Sequence, residues 1–257
     1  MNPLQILIAY QTIVIKELVR CFRIWPQTII PPVITTALYF LIFGKLVGSQ
    51  ISAVQGFTYM QYIAPGLIMM QVIMNSYVNS SGSFFSMKFQ RSIEEILISP
   101  TPNVIILLGF ITGAVARGFI IGVIVMCIAL LFTHLSLHHL ALMFFTVLLT
   151  AIFFATLGII NGIYARNFDD VSWVPSFVLT PLTYLGGVFF SVTMLSNAWQ
   201  KVAMLNPILY IVDLFRYSVL GVVDTNISIA LMILTLGSFG VFLFALRLIR
   251  QSPRLRS

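Results

Sequence analysis

Apolar residues along the chain collect into six long runs separated by shorter, more polar segments. Each run approaches or exceeds the roughly 20 residues that an α-helix needs to cross a hydrocarbon core of about 30 Å. The pattern therefore predicts an all-α, polytopic membrane protein with six transmembrane helices in a single domain over residues 1–257. The runs cover residues 26–47, 59–82, 104–133, 139–165, 172–192 and 227–249.

Composition and charge placement agree with a membrane protein. Charged residues make up 8% of the chain and hydrophobic residues 59%, whereas soluble domains carry roughly 25% charged residues, so a soluble globular class is excluded. The net charge of +7 is a topology signal and an attraction to anionic lipid rather than a sign of nucleic acid binding. The basic residues predicted on the cytoplasmic side are Lys16, Arg20, Arg23, Lys88, Arg91, Arg166, Arg247, Arg250, Arg254 and Arg256, against Lys45, Lys201 and Arg216 outside. This imbalance places both termini in the cytoplasm.

Residues 1–25 are predicted to form an amphipathic helix in the cytoplasmic interface. Polar side chains recur on one face at spacings of three, four and seven residues, and apolar side chains fill the rest. A seventh span is disfavoured because it would bury charged groups in lipid. The polar face consists of Gln5, Thr12, Lys16, Arg20 and Arg23.

The second and third runs carry polar groups that need partners within the membrane. Gln71, Asn75 and Asn79 share one helix side at four-residue spacing, so they are either helix-packing contacts or the lining of a pathway. Arg117 is either a functional intramembrane charge or a side chain that snorkels to the inner interface. Small residues in the third and fourth runs predict close helix packing, ordinarily within one subunit. They are Gly109, Gly113, Gly118, Gly122, Gly158 and Gly162.

The most polar cytoplasmic segment, 84–102, lies between the second and third runs. Charged residues at spacings of three and four predict a short amphipathic helix on the cytoplasmic surface. This helix is either a solvated loop helix or a docking element for a cytoplasmic partner. Its charged side carries Lys88, Arg91, Glu94 and Glu95.

The outer segment 188–226 is too apolar for a free loop. An Asn-Pro pair is a turn signal, so we predict two short re-entrant or interfacial helices hinged at Asn206 and Pro207. Each half is too short to span the membrane, and Lys201, Asp213 and Arg216 are expected to need water.

The sequence gives no sign of catalytic or metal chemistry. It lacks a G-x-x-x-x-G-K-[ST] loop, so we predict no nucleotide cofactor in this chain. His134 and His138 would need a further ligand from elsewhere to bind a metal, and an interhelical turn is the simpler interpretation. Cys21 and Cys127 are expected to pack as ordinary apolar side chains.

Several motifs together resemble the membrane subunit of type-2 ABC exporters. They are Gly-Gly-Val-Phe-Phe-Ser at 186–191, Leu-Asn-Pro-Ile-Leu-Tyr at 205–210 and Arg216, combined with the interface helix, the six spans and the charged loop. The resemblance covers nearly the whole chain. One departure is Leu195-Ser196-Asn197, where the family usually has a proline before the outer helix.

The resemblance implies a permease subunit, not an enzyme, in a bacterial inner membrane. Two copies would pair with two copies of a separate ATP-binding subunit, which would hold the ATP and Mg²⁺. The helix around 88–99 would be the coupling helix seated on that ATPase. The cargo would be an amphipathic, lipid-linked or drug-like molecule exported from the cell.

We place the substrate pathway along dimer-facing sides of the first, second and fifth spans. The polar groups there are sparse and uncharged, which suits an amphipathic or lipid-linked cargo better than an ion. Candidate pathway residues are Thr35, Tyr39, Asn75, Asn79, Thr180 and Tyr184. Residues of the outer segment would gate the exit. They are Gly186, Gly187, Phe189, Phe190, Asn206 and Pro207.

The alternative is a secondary transporter or channel driven by an ion gradient and centred on Arg117. Such proteins often contain internal repeats with interrupted helices at corresponding positions, and no duplication is visible in the sequence. An intramembrane enzyme would need several convergent ionisable groups, of which only Arg117 is a candidate.

Overall fold

The computed structural model describes residues 2–48 and 53–251, and within these ranges the chain is helical apart from turns and one isolated bridge between Val54 and Phe57. Arg254, Arg256 and the side chain of Lys45, which entered the topology prediction, lie outside this described part. The helices are α1 (Pro3–Arg23), α2 (Trp25–Tyr39, continued by a π-helix at Phe40–Val47), α3 (Tyr59–Phe89), α4 (Ser92–Ile98), α5 (Asn103–Phe132), α6 (Leu140–Tyr164), α7 (Phe168–Val174, continued by a π-helical turn at Pro175–Leu179), α8 (Thr180–Leu185), α9 (Asn197–Met204), α10 (Pro207–Leu220) and α11 (Ile227–Gln251). A 3₁₀ turn at Val192–Met194 precedes α9.

Four of the described helices are long and apolar enough to cross a membrane, and the prediction of six is not confirmed. They are Trp25–Gly44, Asn103–Phe132, Leu140–Tyr164 and Ile227–Gln251. The pair α9 and α10 becomes a fifth candidate if it is counted as one bent span. The predicted span at 59–82 is helical, but amides and hydroxyls make it more polar. The predicted span at 172–192 is helical only as far as Leu185, and a π-helical turn and adjacent prolines interrupt it.

Helix α3 lies at the centre of the fold and packs against α5, α6 and α10. Gly118 and Gly122 of α5 lie against Ser76 and Val72 of α3, and Gly158 of α6 lies against Ser80. A side chain at any of these glycines would collide with α3. The prediction that the small residues serve helix packing within one subunit is confirmed.

Helix α1 packs along α5 by a narrow buried stripe of Ile13, Glu17 and Cys21. Gly109 and Gly113 of α5 receive Ile13 and Glu17. The predicted polar face is exposed or partly exposed, and apolar side chains on either side of the stripe are also exposed. The helix is therefore amphipathic as predicted, but one of its charges, Glu17, is buried in the protein.

The outer segment contains the two predicted short helices, and the hinge is where the Asn-Pro pair indicated. α9 and α10 meet at an angle of 89°, and the Asn206 side chain accepts a hydrogen bond from the backbone N–H of Ile208 at the start of α10. The expectation that Asp213 and Arg216 need water is wrong. Both side chains are buried inside the protein, where they solvate each other.

Candidate functional site

The predicted charged helix between the second and third runs is shorter than the sequence indicated. It begins at Ser92, after Arg91 adopts a left-handed conformation with φ of 60°. Lys88 instead belongs to the last turn of α3, where its Nζ donates to the carbonyls of Ile163 and Ala165 at 2.6 and 2.8 Å. Because these carbonyls end α6, Lys88 stabilises the contact of α3 with α6. The assignment of Lys88 to the short helix is thus corrected.

Of the four charged residues predicted for the short helix, α4 carries Glu94 and Glu95. Ile93 is buried and anchors the helix on the domain, whereas Glu94 is partly exposed and Glu95 is exposed. Ile98 at the end of α4 is 84% exposed. The helix therefore presents two carboxylates and a large apolar side chain on a firmly anchored support between α3 and α5.

A second polar site, which we name the Arg117 cluster, joins α1, α3 and α5. It consists of Glu17, Arg20, Asn75, Asn79 and Arg117. Asn79 Oδ1 accepts from Arg20 Nη2 at 2.9 Å and from Arg117 Nη1 at 3.2 Å. Arg117 Nη2 also donates to Asn75 Oδ1 over 3.5 Å. The structure thus places Arg117 against α3, where it bonds amides.

Glu17 is the carboxylate of the Arg117 cluster, and its two oxygens already have partners. Oε2 pairs with Arg20 Nη2 at 3.1 Å, and Oε1 accepts from the hydroxyl of Ser83 at 2.7 Å. Burial raises the pKa of the neighbouring Cys21 thiol, an effect that Arg117 and Arg20 oppose. The thiol therefore adds no negative charge at neutral pH.

A third polar site, which we name the Arg216 network, joins α10 to α3 and to the outer turn. Arg216 Nη2 donates to the Gly187 carbonyl at 2.6 Å, and its guanidinium lies 4.1 Å from the centre of the Tyr62 ring. Asp213 pairs with Arg216 at 3.6 Å and accepts from the backbone N–H groups of Asp224 and Thr225. The network fixes α10 to α3 around one buried ion pair, in which Arg216 Nη1 has no hydrogen-bond partner among the described residues.

The candidate outer gate residues surround this network. Gly187 has a φ of +71°, which suits glycine, and its carbonyl is held by Arg216. The Asn206 amide donates to the Leu182 carbonyl at 2.6 Å, which ties the hinge beside Pro207 to α8. Gly186 lies against Ile208, and Phe190 is partly buried.

The structure divides the candidate pathway residues into two groups. The hydroxyls of Tyr39 and Tyr184 lie 3.1 Å apart, and the Phe189 ring contacts both tyrosine rings. Thr35 is partly buried on α2, and Thr180 donates to the carbonyl of Pro175 in the π-helical turn.

Asn75 and Asn79 are not part of this surface, because they are buried and bond the arginines of α1 and α5. Of the two interpretations of the amide row, the contacts favour helix packing.

Comparisons of the sequence with known proteins identify its family. The sequence model of the family described as ABC-2 type transporter matches residues 8–220. The chain belongs to the ABC-2 type transporter family. It is 48% identical to the inner membrane transport permease YadH of Escherichia coli strain K12, over 97% of this chain and 98% of that protein. Identity to nodulation protein J is 25% for Rhizobium leguminosarum bv. viciae, over 83% of each chain, and 24% for Neorhizobium galegae, over 90% of each. The family resemblance seen in the sequence is confirmed.

Two carboxylates of this ABC-2 permease were not recognised as site residues from the sequence. Glu17 lies four residues from Ile13 and four from Cys21, so it shares their buried stripe. This four-residue spacing could have shown from the sequence that Glu17 shares a helix face with two apolar residues. Asp224 accepts from Tyr62, Ser191 and the backbone of Val192. These partners are distant in sequence, and no local pattern indicates them.

Proposed function

We propose that this chain is the permease subunit of an ATP-driven exporter that moves an amphipathic, lipid-linked or drug-like molecule out across the inner membrane. Membership of the ABC-2 type transporter family is the observation that carries the proposal. The name of the Escherichia coli relative, an inner membrane transport permease, supports the location. A separate ATP-binding subunit, with its ATP and Mg²⁺, would supply the energy.

Helix α4 is the proposed contact with the ATPase. Its support is the anchored position of the helix between α3 and α5, with Glu95 and Ile98 exposed. Arg91 at the junction is also exposed. A displacement of α4 would reach α3 directly, and Lys88 would pass it to α6 through the two carbonyls that it binds.

The proposed assembly is a homodimer with six crossings per subunit, cytoplasmic termini and α1 in the inner interface. The fifth crossing would be formed by α7 and α8, and α9 with α10 would form an outer re-entrant cap. The exposed aromatic residues Trp173, Phe177 and Tyr184, on one continuous stretch of helix, support a subunit contact there. The cargo would pass beside Tyr39 and Tyr184, a surface with hydroxyls and no charges, which suits an amphipathic molecule.

The test is co-expression of the chain with a candidate ABC ATP-binding subunit from the same genome, followed by purification and an ATPase assay. The double variant Glu94→Lys and Glu95→Lys should lose the ATP-binding subunit or reduce its permease-dependent ATPase activity by roughly tenfold, because each change reverses a contact charge. The matched control is Asp169→Lys, which reverses an exposed acidic side chain outside α4.

The two parts of the proposal fail differently. If the unaltered chain neither binds nor stimulates an ATP-binding subunit, ATP-driven export is contradicted. If the unaltered chain does so and the double variant behaves like Asp169→Lys, only the role of α4 is contradicted.

The contacts of Arg117 give the ion-driven alternative no support. Within residues 2–48 and 53–251, the hydrogen-bond partners of its guanidinium are the neutral amides of Asn75 and Asn79. A proton or cation relay would need titratable acids along a path. The carboxylate of the cluster, Glu17, is already occupied by Arg20 and Ser83.

A further inference from the structure

The Arg117 cluster brings together two guanidinium groups from different helices. Arg20 of α1 and Arg117 of α5 bond the same oxygen, Asn79 Oδ1, at 2.9 and 3.2 Å. Their donating nitrogens are therefore within about 6 Å of each other, a distance at which like charges repel. Such an arrangement needs negative charge nearby to be favourable.

The protein supplies only part of that charge. Glu17 pairs with Arg20, but among the described residues no carboxylate lies within ion-pair distance of Arg117. A guanidinium group carries a positive charge at physiological pH. The cluster thus holds two positive charges against one negative charge in a partly buried site.

The Arg117 cluster also has more hydrogen-bond donors than available acceptors. Three buried donors, Nε of Arg20, Nε of Arg117 and Nδ2 of Asn79, have no hydrogen-bond partner among residues 2–48 and 53–251. The acceptors are in use, since Asn79 Oδ1 takes two bonds and each oxygen of Glu17 takes one. A surplus of donors with a surplus of positive charge is the chemistry of an anion site.

The surroundings of Arg20 indicate what kind of anion fits. The Arg20 side chain is 31% exposed, so the cluster is open on the side of α1. Val19 and Phe22, on the other exposed faces of the same turn of α1, are apolar and are 51% and 61% exposed. A ligand that places an anionic group on the arginines and hydrocarbon on these side chains is a phospholipid.

We propose that Arg20 and Arg117 bind the phosphate of an anionic phospholipid of the inner leaflet, whose acyl chains lie against α1. Basic pockets between membrane helices on the cytoplasmic side commonly bind anionic headgroups. The phosphate would reach the cluster from the exposed side of Arg20 and supply the missing negative charge. Because the Nε atoms of both arginines are buried, contact with them requires a shift of the Arg20 side chain. A lipid bound there would hold α1 against α3 and α5. This inference rests on the proposed cytoplasmic placement of α1, but not on the direction or cargo of transport.

The experiment measures lipid binding to the full-length chain in detergent by native mass spectrometry. Phosphatidylglycerol should bind in preference to phosphatidylcholine. Arg117→Gln and Arg20→Gln should each weaken phosphatidylglycerol binding by roughly tenfold, because each removes a charge-assisted contact to the phosphate. Arg23→Gln is the matched control, since Arg23 is an exposed basic residue on the same helix.

Three results would overturn the proposal. Equal binding of the two lipids would remove the anion preference, and equal loss in Arg23→Gln would reduce the effect to general surface attraction. Displacement of phosphatidylglycerol by inorganic phosphate alone would make the site one for a free anion. Arg20 is partly exposed, so Arg20→Gln decides the question if Arg117→Gln does not fold.

Discussion

Arg216 of α10 and Arg117 of α5 both contact α3, but they differ in the groups that neutralise their charge. Arg216 is 1% exposed and has a carboxylate from Asp213, two backbone carbonyls and the face of Tyr62. Arg117 has two neutral amides and shares one of them with Arg20. A buried counter-ion makes the Arg216 network a structural anchor, although Arg216 Nη1 has no hydrogen-bond partner among residues 2–48 and 53–251. In the same ranges Arg117 has no carboxylate within ion-pair distance, which leaves the Arg117 cluster able to bind an anion.

The same comparison separates two uses of buried charge in a membrane domain. Burying an ion pair is costly unless further hydrogen bonds satisfy both partners. Asp213 meets that condition through bonds from the backbone of residues 224 and 225 and from the Thr225 hydroxyl. In the Arg117 cluster, Glu17 has both an ion-pair partner and a further hydrogen bond, whereas Arg117 has no carboxylate partner among the described residues. Burial by itself therefore does not distinguish an anchor from a binding site, and the presence of a paired carboxylate does.

The largest expected effect is the loss of the anchor. Arg216→Ala should lower the free energy of unfolding by about 3–5 kcal/mol, because Asp213 would be left buried without its counter-ion. Arg117→Ala should cost clearly less, since it leaves no carboxylate unpaired. Thermal or denaturant unfolding in detergent measures both, with Lys201→Ala as an exposed control on the same outer segment. Equal losses for the two arginines would break the comparison.

The next effect concerns the amide that the two arginines share. Asn79→Ala should cost about 1.5–3 kcal/mol of stability, because it removes the acceptor of two charge-assisted hydrogen bonds. Asn75→Ala is the matched control on the same helix face. Its bond to Arg117 is 3.5 Å long, near the limit of a hydrogen bond, so its loss should cost about 1 kcal/mol or less. A reversed order in unfolding experiments would show that Asn75 is the main partner.

The sequence predicted the parts of this fold that depend on local pattern. Apolar runs predicted the long helices, the Asn206-Pro207 pair predicted the hinge, and Gly118 and Gly158 were correctly expected to pack helices closely. These features are decided within a few residues of chain, by hydropathy, backbone restriction and side-chain size.

Features that depend on distant partners were not predictable in this way. Lys88 was assigned to a helix that begins after it, because the α6 carbonyls that hold it are 75 and 77 residues away. Arg216 was expected to need water, because its solvating carbonyls at Tyr62 and Gly187 are 154 and 29 residues away. The partners of Asn79 are on two other helices. Polar residues in a membrane domain reveal their role only when the helices that satisfy them are placed.

The smallest effect tests how tightly the Arg216 network holds its surroundings. Gly66 of α3 lies beneath Val188, and a Cβ at Gly66 would be 2.7 Å from the Val188 carbonyl oxygen, a backbone atom. Gly66→Ala should therefore cost about 1–2 kcal/mol, the overpacking penalty less the gain in helix propensity. Gly82 of the same helix is the matched control, because a Cβ there meets nothing within 4 Å. Gly82→Ala should leave stability unchanged or raise it by up to about 1 kcal/mol. Both variants are compared with the unaltered protein by thermal unfolding in one detergent. If Gly66→Ala is as stable as Gly82→Ala, the chain at Val188 can move away from α3. The anchor formed by Arg216 would then be looser than its contacts imply, and the contrast with the Arg117 cluster would rest on charge alone.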